Sequence, residues 1–246
     1  MFNFSFDKRI LYVILGVMVL STLVQYITEE GAFLSLLLTI PGVLIAITFH
    51  EFAHAFVADK LGDDTPRIQG RLSLNPFDHL DPVGSVLLLF AGFGWGKPVE
   101  VNPRNYNRNI TMEKADALVS LAGPAMNFIL AIIFTLVYCV IYKFTDVTFI
   151  VSTYGKVILN LISATITINI GLGVFNLLPL PPLDGSKIIK PFMPYKAKKW
   201  FENKEMIFYI IFLVIWITGL AGIIITPIIR FLLSSLLKLG MIIFGL

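Results

Sequence analysis

Three residues near the end of a long apolar run have the types and spacing of a metal site. They are His50, Glu51 and His54, which form the pattern H-E-x-x-H. On a helix, residues four apart lie on one face, so both imidazoles can bind the same divalent cation while Glu51 holds a water molecule beside it. The pattern predicts one zinc ion per chain, with His50 and His54 as ligands and Glu51 as the base that activates water.

Composition indicates that this pattern lies in a membrane. The chain has 246 residues, of which 57% are hydrophobic and 14% are charged. It is more apolar than an ordinary soluble domain, and several of its apolar runs are long enough to cross a bilayer. We expect an all-α polytopic membrane protein with a single transmembrane domain over 1–246. Its expected transmembrane helices, about six, cover 10–26, 31–58, 116–142, 157–180, 206–225 and 227–246, with 219–222 as an alternative break between the last two.

The distribution of basic residues predicts the orientation of the chain. Lysine and arginine are concentrated at the N-terminus, over 59–115 and over 184–205. Cytoplasmic loops carry an excess of these residues, so we expect those segments, the site and both termini on the cytoplasmic side of the cell membrane. The net charge of +3 then reflects orientation and attraction to anionic lipid headgroups. The sequence has no module of basic and aromatic residues of the kind that indicates nucleic-acid binding.

The apolar stretch 82–95 is too short to cross a bilayer and has basic segments on both sides. It is expected to enter the membrane and return. Residues 67–74 before it and 97–101 after it alternate polar and apolar side chains, which predicts small β-strands at the membrane face. Such an element beside the motif helix suits the handling of an extended substrate, and a packing role is the alternative.

A catalytic zinc normally has three protein ligands, so a third ligand is required. The candidates are His79, the only other histidine, and Asp184 in the segment PLPPLDG. Helix 31–58 runs from outside to inside and carries both motif histidines near the inner boundary of the hydrocarbon layer. Helix 157–180 runs in the same direction, and the prolines after it lead into an extended segment that can return a carboxylate to the ion. Topology therefore favours Asp184.

Three motifs together resemble those of the site-2 protease family of intramembrane zinc metalloproteases, peptidase family M50. They are HEFAH at 50–54, the segment from Asn176 through Leu183-Asp184-Gly185, and Gly123-Pro124-Ala125-Met126-Asn127. The resemblance covers nearly the whole chain and is to a compact form without the PDZ and CBS modules of some members. It implies Asp184 as the third ligand and a core of three helices that carries the site.

The resemblance and the motif chemistry together predict a zinc metalloendopeptidase. It would hydrolyse peptide bonds within or near the cytosolic end of transmembrane segments, in regulated intramembrane proteolysis. A helical substrate must be unwound before cleavage, because its amides are hydrogen-bonded to one another in lipid. Asn176 is expected to stabilise the oxyanion as an uncharged donor. The expected partners are a transmembrane protein substrate and the lipid bilayer, and the oligomeric state is left open.

The remaining polar residues and two other functions were weighed beside this prediction. His79 is expected to cap or bridge the turn 78–81, whereas Asn127 and Asn169 could serve the site or form hydrogen bonds between helices. A membrane zinc transporter would need ligands along a path through the membrane, and the other predicted helices carry no histidine. A catalytically idle scaffold of the same fold would not require Glu51 between the two histidines.

Overall fold

The structure is a computed structural model that describes residues 8–82, 84–85 and 96–246. The predicted re-entrant segment 82–95 lies almost entirely outside the described residues. Within them the chain is helical, with one isolated antiparallel bridge between Leu80 and Gly96. The described α-helices are α1 (Lys8–Thr28), α2 (Ala32–Lys60), α3 (Thr65–Ile68), α4 (Pro76–His79), α5 (Met112–Phe144), α6 (Val147–Val151), α7 (Thr153–Asn176), α8 (Asp184–Ile189), α9 (Tyr195–Asn203), α10 (Glu205–Ile217) and α11 (Leu220–Phe244).

Four of the described helices, α2, α5, α7 and α11, are long and apolar enough to cross a membrane. This confirms a multi-pass helical membrane protein, with fewer clear crossings than the six expected. Helix α10 has only 13 residues, so it extends about 20 Å, which is less than the hydrocarbon thickness of about 30 Å. Helix α1 has 21 residues and corresponds to the expected helix at 10–26.

Of the two expected breaks in the last apolar run, 219–222 agrees with the structure and the break before residue 227 is wrong, and the expected helix end at residue 180 is also wrong. The break in the last apolar run lies at Gly219, whose φ of 73° is in the left-handed region, whereas Pro227 lies inside α11. Glycine ends a helix in this conformation without strain, and a transmembrane helix can tolerate a proline. Helix α7 ends at Asn176 rather than at residue 180, because the residue before Pro179 is disfavoured in the helical conformation.

The β-strands expected at 67–74 and 97–101 are also wrong for the described residues. The first segment begins in the short helix α3, and neither segment forms a ladder. Side chains satisfy much of the backbone here. Arg71, which is only 6% exposed, donates to the carbonyl oxygens of Asp78 and Pro98. The alternation over 67–74 therefore does not mark a half-buried strand, since Arg71 faces inward while Ile68 and Leu74 are exposed.

Helices α2, α5 and α7 form the centre of the molecule, because their contacts with one another are the most extensive of the described helices. Ile166 and Ile170 of α7 are fully buried and pack with Ala131 of α5 and Ile225 of α11. Gly42 allows a close approach of α2 to α7, since a β-carbon there would lie 3.0 Å from the Cα of Thr165. Small residues commonly bring transmembrane helices together in this way.

The outward faces of the long helices are strongly apolar. On α11, Ile223, Phe231 and Ile242 are each at least 67% exposed. Exposed apolar surface of this extent is unfavourable in water and matches hydrocarbon chains of lipid. The exposure pattern agrees with a bundle surrounded by lipid rather than by solvent.

Asp63 connects the end of α2 to the segment that passes the site. Its buried carboxylate accepts hydrogen bonds from the backbone and hydroxyl of Thr65, from the backbone N–H of Asn102 and from the amide of Asn105. Burial on its own would raise the pKa of Asp63, but these hydrogen bonds outweigh it, so the pKa lies below its ordinary value. The ionised carboxylate therefore ties residues 102–105 to α2.

Replacing the carboxylate of Asp63 should loosen the segment 102–105. Asp63→Ala leaves four donors without their acceptor, and we expect the local free energy of opening to fall by about 2–3 kcal/mol. Hydrogen exchange read by mass spectrometry should show faster exchange at Thr65 and Asn102, with α11 unchanged. The wild-type protection should persist as pH is lowered past the ordinary aspartate pKa of about 3.9 and be lost only below it, because the folded-state pKa is depressed.

Asp64→Ala is the matched control, because Asp64 is adjacent and exposed. This variant should exchange like the wild type. Unchanged exchange in Asp63→Ala would show that Asp63 does not hold the segment.

Candidate metal centre

Two histidines of α2 and one aspartate at the start of α8 meet in the interior. His50 and His54 are 6% and 9% exposed. The Nε2 atoms of the two rings are 3.0 Å apart, and each is 3.2 Å from Oδ2 of Asp184. Among the described residues, these three are the group of histidine, cysteine and carboxylate side chains that could hold a metal ion. The structure thus brings together the three residues that the sequence predicted as ligands.

The other ring nitrogens are occupied by acceptors on α5. Nδ1 of His54 is 2.7 Å from the carbonyl oxygen of Val119, and Nδ1 of His50 is 2.7 Å from Oδ1 of Asn127. A carbonyl oxygen can only accept, so each Nδ1 carries the proton and each neutral ring turns the lone pair of Nε2 inward. Hydrogen bonds of this kind orient histidine ligands in metal sites.

The donor set fits zinc. Two nitrogen lone pairs and a buried carboxylate oxygen without a hydrogen-bond partner converge within 3.2 Å. Three such atoms repel one another unless a positive charge lies between them. Tetrahedral zinc with bonds of about 2.0–2.2 Å separates its ligands by roughly 3.3 Å, close to the observed spacing. His50, His54 and Asp184 could therefore hold one zinc ion and leave a fourth position open.

The carboxylate is already favoured in its charged form. When no metal is bound, a proton on His54 can take its place: burial on its own would raise the pKa of Asp184, but attraction to the protonated His54 ring outweighs it, so the pKa lies below its ordinary value. A metal ion supplies positive charge at the same place and leaves both imidazoles neutral.

A tight turn carries Asp184 back to the histidines. After α7 ends, the chain turns at Leu177 and Leu178 and passes through three prolines before α8 begins. A β-carbon on Gly185 would collide with the carbonyl oxygens of Leu177 and Leu178. Glycine at this position therefore lets the start of α8 pack directly on the turn, which places the preceding carboxylate next to α2.

Glu51 lies in the same cavity but is held by another part of the chain. Its Oε2 accepts a hydrogen bond of 3.1 Å from the backbone N–H of Val99. The cavity has a volume of about 520 Å³ and is lined by both histidines, Asp184, Glu51, Val99 and Asn176, among others. Asn176 donates one amide hydrogen to the carbonyl oxygen of Leu172 in its own helix, and its second amide hydrogen can serve a ligand in the cavity.

His79 does not take part in the centre. It is fully buried, and its Nε2 is 2.7 Å from the carbonyl oxygen of Ser73. The expectation that it bridges the turn 78–81 is also wrong, since Asn75 caps α4 by accepting from the N–H of Phe77. His79 instead supports the loop before α4, and its own carbonyl oxygen accepts from the backbone N–H of Lys97.

One face of α5 contributes more than the sequence analysis assigned to it. Val119, Gly123 and Asn127 are four residues apart and lie against the two imidazoles. A β-carbon on Gly123 would lie 2.6 Å from Cε1 of His50 and from Cε1 of His54. The four-residue spacing in Gly-Pro-x-x-Asn was a usable signal, because it places Gly123 and Asn127 on one helix face. The link from Val99 to Glu51 had no comparable signal.

A membrane helix bundle with two imidazoles, a carboxylate and a glutamate around one cavity has the groups of a zinc-dependent peptidase. The profile of peptidase family M50 matches residues 38–219. The chain belongs to peptidase family M50. It is a zinc metalloprotease of the membrane, as the sequence predicted.

Curated relatives agree with this family. "Putative zinc metalloprotease YwhC" of Bacillus subtilis is 41% identical over 204 residues, which cover 82% of this chain and 90% of the relative. "Putative zinc metalloprotease Rip2" of Mycolicibacterium smegmatis is 31% identical over 185 residues, or 74% of this chain and 67% of the relative. "Putative zinc metalloprotease MJ0611" of Methanocaldococcus jannaschii is 25% identical over 221 residues, which cover 87% of this chain and 98% of the relative. No solved structure gives a significant match.

The contact between Gly123 and the imidazoles predicts the effect of a single methyl group. Gly123→Ala should push the rings out of place, and overpacking of this kind costs about 1–3 kcal/mol. We expect zinc affinity, measured by competition with a chromogenic chelator, to fall about tenfold or more.

Gly171→Ala in α7 is the matched control. Its β-carbon would meet only Cδ1 of Ile229 at 3.4 Å, an ordinary contact, and both variants gain similar helix propensity. Equal zinc affinity in the two variants would contradict a role for Gly123 in seating the ligands.

Proposed function

We propose that His50, His54 and Asp184 bind the catalytic zinc ion, that Glu51 is the general base, and that the substrate is a transmembrane segment of another membrane protein. The observation that carries this proposal is the convergence of the two Nε2 atoms and Oδ2 of Asp184 within 3.2 Å, in a cavity that also contains Glu51. The ligand candidates form one cluster rather than a path through the bundle of described residues, which favours hydrolysis over transport.

Bound zinc would polarise the scissile carbonyl and lower the pKa of a water molecule toward about 7. Glu51 takes a proton from the attacking water and delivers it to the leaving amine. The N–H of Val99 holds one carboxylate oxygen of Glu51 and leaves the other for this transfer. Asn176 offers an uncharged amide hydrogen to the oxyanion, which avoids a further charge in a region of low dielectric constant.

The segment 97–101 is proposed as the edge that receives an unwound substrate. Pro98, Val99 and Val101 line the cavity beside Glu51, and the segment has no helical or strand structure. An extended peptide can add to such a backbone as a strand. Cleavage would then fall close to the cytosolic end of the substrate, where the chain can leave its helix and meet water.

We further propose that residues 1–246 form a single domain with six crossings and cytoplasmic termini. Helix α10 would cross together with flanking residues, since it is short for a full span. The basic segments 59–115 and 184–205 support a cytoplasmic position of the site.

The assignment of roles predicts different failures for different variants. Purified protein in liposomes is assayed against single-pass segments, and its zinc is measured by elemental analysis. Glu51→Gln should retain zinc and lose cleavage by about 10²–10⁴-fold, because only proton transfer is removed. Asp184→Ala should lose zinc and cleavage together. Asn176→Ala should retain zinc and lower kcat by about 10²–10³-fold with little change in KM.

Glu30→Gln is the control, because Glu30 is an exposed carboxylate between α1 and α2 and does not line the cavity. It should cleave like the wild type. Wild-type cleavage by Glu51→Gln would remove Glu51 from the mechanism, and normal zinc content in Asp184→Ala would remove Asp184 from the ligand set.

The orientation can be tested with single cysteines. Cys139 is the only cysteine and is buried, so Cys139→Ser gives a cysteine-free background. Asp146→Cys and Lys196→Cys lie at exposed positions on opposite expected sides. A membrane-impermeant maleimide should label Asp146→Cys on intact cells and Lys196→Cys only in inside-out vesicles. The reverse pattern would contradict the proposed orientation.

A further inference from the structure

We infer that Asn127 is a positioning residue of the metal centre, which keeps the proton of His50 on Nδ1 and thereby turns Nε2 toward the metal. The inference rests on the proposed ligand set of His50, His54 and Asp184. Asn127 does not touch the reacting atoms and acts through His50.

Asn127 occupies the point where the three central helices meet. It lies on α5, is fully buried, and makes three hydrogen bonds. Its Oδ1 is 2.7 Å from Nδ1 of His50 on α2. Its Nδ2 donates to the carbonyl oxygen of Ala46 on α2 at 3.1 Å and to Oδ1 of Asn169 on α7 at 3.0 Å. Every polar atom of this side chain therefore has a partner.

The partners determine which way the amide faces. An asparagine amide can be rotated by 180° with little change in shape, so its orientation follows from its neighbours. The carbonyl oxygen of Ala46 can only accept, so the amide nitrogen of Asn127 must face it. The amide oxygen then faces His50, and this oxygen can only accept.

Asn169 on α7 fixes the same orientation of the Asn127 amide. It is fully buried on α7, and its Nδ2 donates to the carbonyl oxygen of Thr165 at 2.9 Å. Its oxygen must therefore face Asn127 as an acceptor. Each group donates to the next, from Nδ1 of His50 through Asn127 and Asn169 to the backbone carbonyl oxygen of Thr165 in α7. Nδ1 of His50 has to donate into this chain, and a neutral imidazole then keeps its lone pair on Nε2.

Asparagine at position 127 suits the orientation of His50 better than a carboxylate or a leucine would. A carboxylate could accept from His50 but could not donate to Ala46 and Asn169, and it would place a charge inside the bundle. A leucine would leave the Nδ1 proton of the buried His50 without an acceptor. His54 needs no such side chain, because the backbone carbonyl oxygen of Val119 accepts its Nδ1 proton.

Zinc affinity of the full chain in detergent tests the inference without relying on catalysis. Competition with a chromogenic chelator is measured for the wild type, Asn127→Leu, Asn127→Ala and Asn127→Asp. Asn127→Leu and Asn127→Ala remove the acceptor, and we expect affinity to fall about 10–100-fold. Asn127→Asp keeps an oxygen acceptor facing His50 and, as a neutral carboxylic acid inside the bundle, can still donate to the carbonyl oxygen of Ala46, so we expect it to recover most of this loss.

Thr135→Val is the matched control for loss of a buried polar group from α5. Thr135 is 3% exposed, and its hydroxyl bonds only to the carbonyl oxygen of Ala131 in the same helix, about two turns from Asn127. Its zinc affinity should equal that of the wild type. His50→Ala is the reference for loss of a proposed ligand and should bind zinc at background level.

Thermal unfolding separates positioning from a merely structural role. For each variant the melting temperature is recorded with and without zinc. A positioning role predicts that Asn127→Ala loses much of the zinc-dependent increase, whereas a merely structural role would lower both temperatures equally and leave the increase intact. Asn127→Ala, which adds no bulk, keeps the test decisive where Asn127→Leu does not fold.

Four results would decide the question. Reduced zinc affinity in Asn127→Ala with recovery in Asn127→Asp supports the inference. Wild-type affinity in Asn127→Ala overturns it, as do equal losses in Asn127→Ala and Asn127→Asp. Wild-type affinity in His50→Ala overturns the proposed ligand set itself and the inference with it, so the two failures are distinguished.

Discussion

The structure depends on the crowding of three electron-pair donors. Two imidazole nitrogens and one carboxylate oxygen lie within 3.2 Å of one another, an arrangement that is stable only around positive charge. The long helices and the proline-rich turn hold these atoms in place. The spacing of four residues on α2 supplies both rings, α5 binds their outer nitrogens, and the turn after α7 returns Asp184 to them. Gly123 and Gly185 matter because each allows an approach that a β-carbon would block.

The proposed ligands and the proposed base are supported by different parts of the chain. His50 and His54 are held within the bundle, where lipid offers no competing hydrogen bonds and polar groups must satisfy one another. Glu51 is on the same helix, but its carboxylate is oriented by Val99, and residues 102–105 of that loop are tied to α2 by Asp63. Under the proposed roles, metal binding would therefore depend mainly on packing between helices, whereas orientation of the base would depend on a loop anchored by a buried carboxylate.

Much of the site was predictable because it follows from spacing and topology. The motif on α2 and the prolines before Asp184 gave the ligand candidates, and long apolar runs gave the four clear spans. Other features of the structure depend on contacts between residues that are distant in the sequence. The alternation at 67–74 was taken for a strand because nothing in the sequence reveals that Arg71 turns inward to bind two carbonyl oxygens. Pro227 was one of two possible breaks, beside 219–222, because the tolerance of a helix bundle for proline depends on neighbouring helices that the local sequence does not reveal. The contact of Val99 with Glu51 joins residues 48 apart through backbone, which no side-chain pattern encodes.

Under the proposed function, the backbone contact with Glu51 would also connect substrate binding to proton transfer. Under the proposed function, a substrate strand adds along residues 97–101, the segment whose N–H at Val99 orients the base. Any shift of that backbone on binding moves the hydrogen bond that holds Glu51, while the ligands on α2 and α8 are held separately and need not move. An empty segment can thus leave the base imperfectly placed beside a fully formed metal centre. Selectivity for unwound segments would then arise from geometry, because only a peptide that is already extended can pair with this edge and align the carboxylate at the same time.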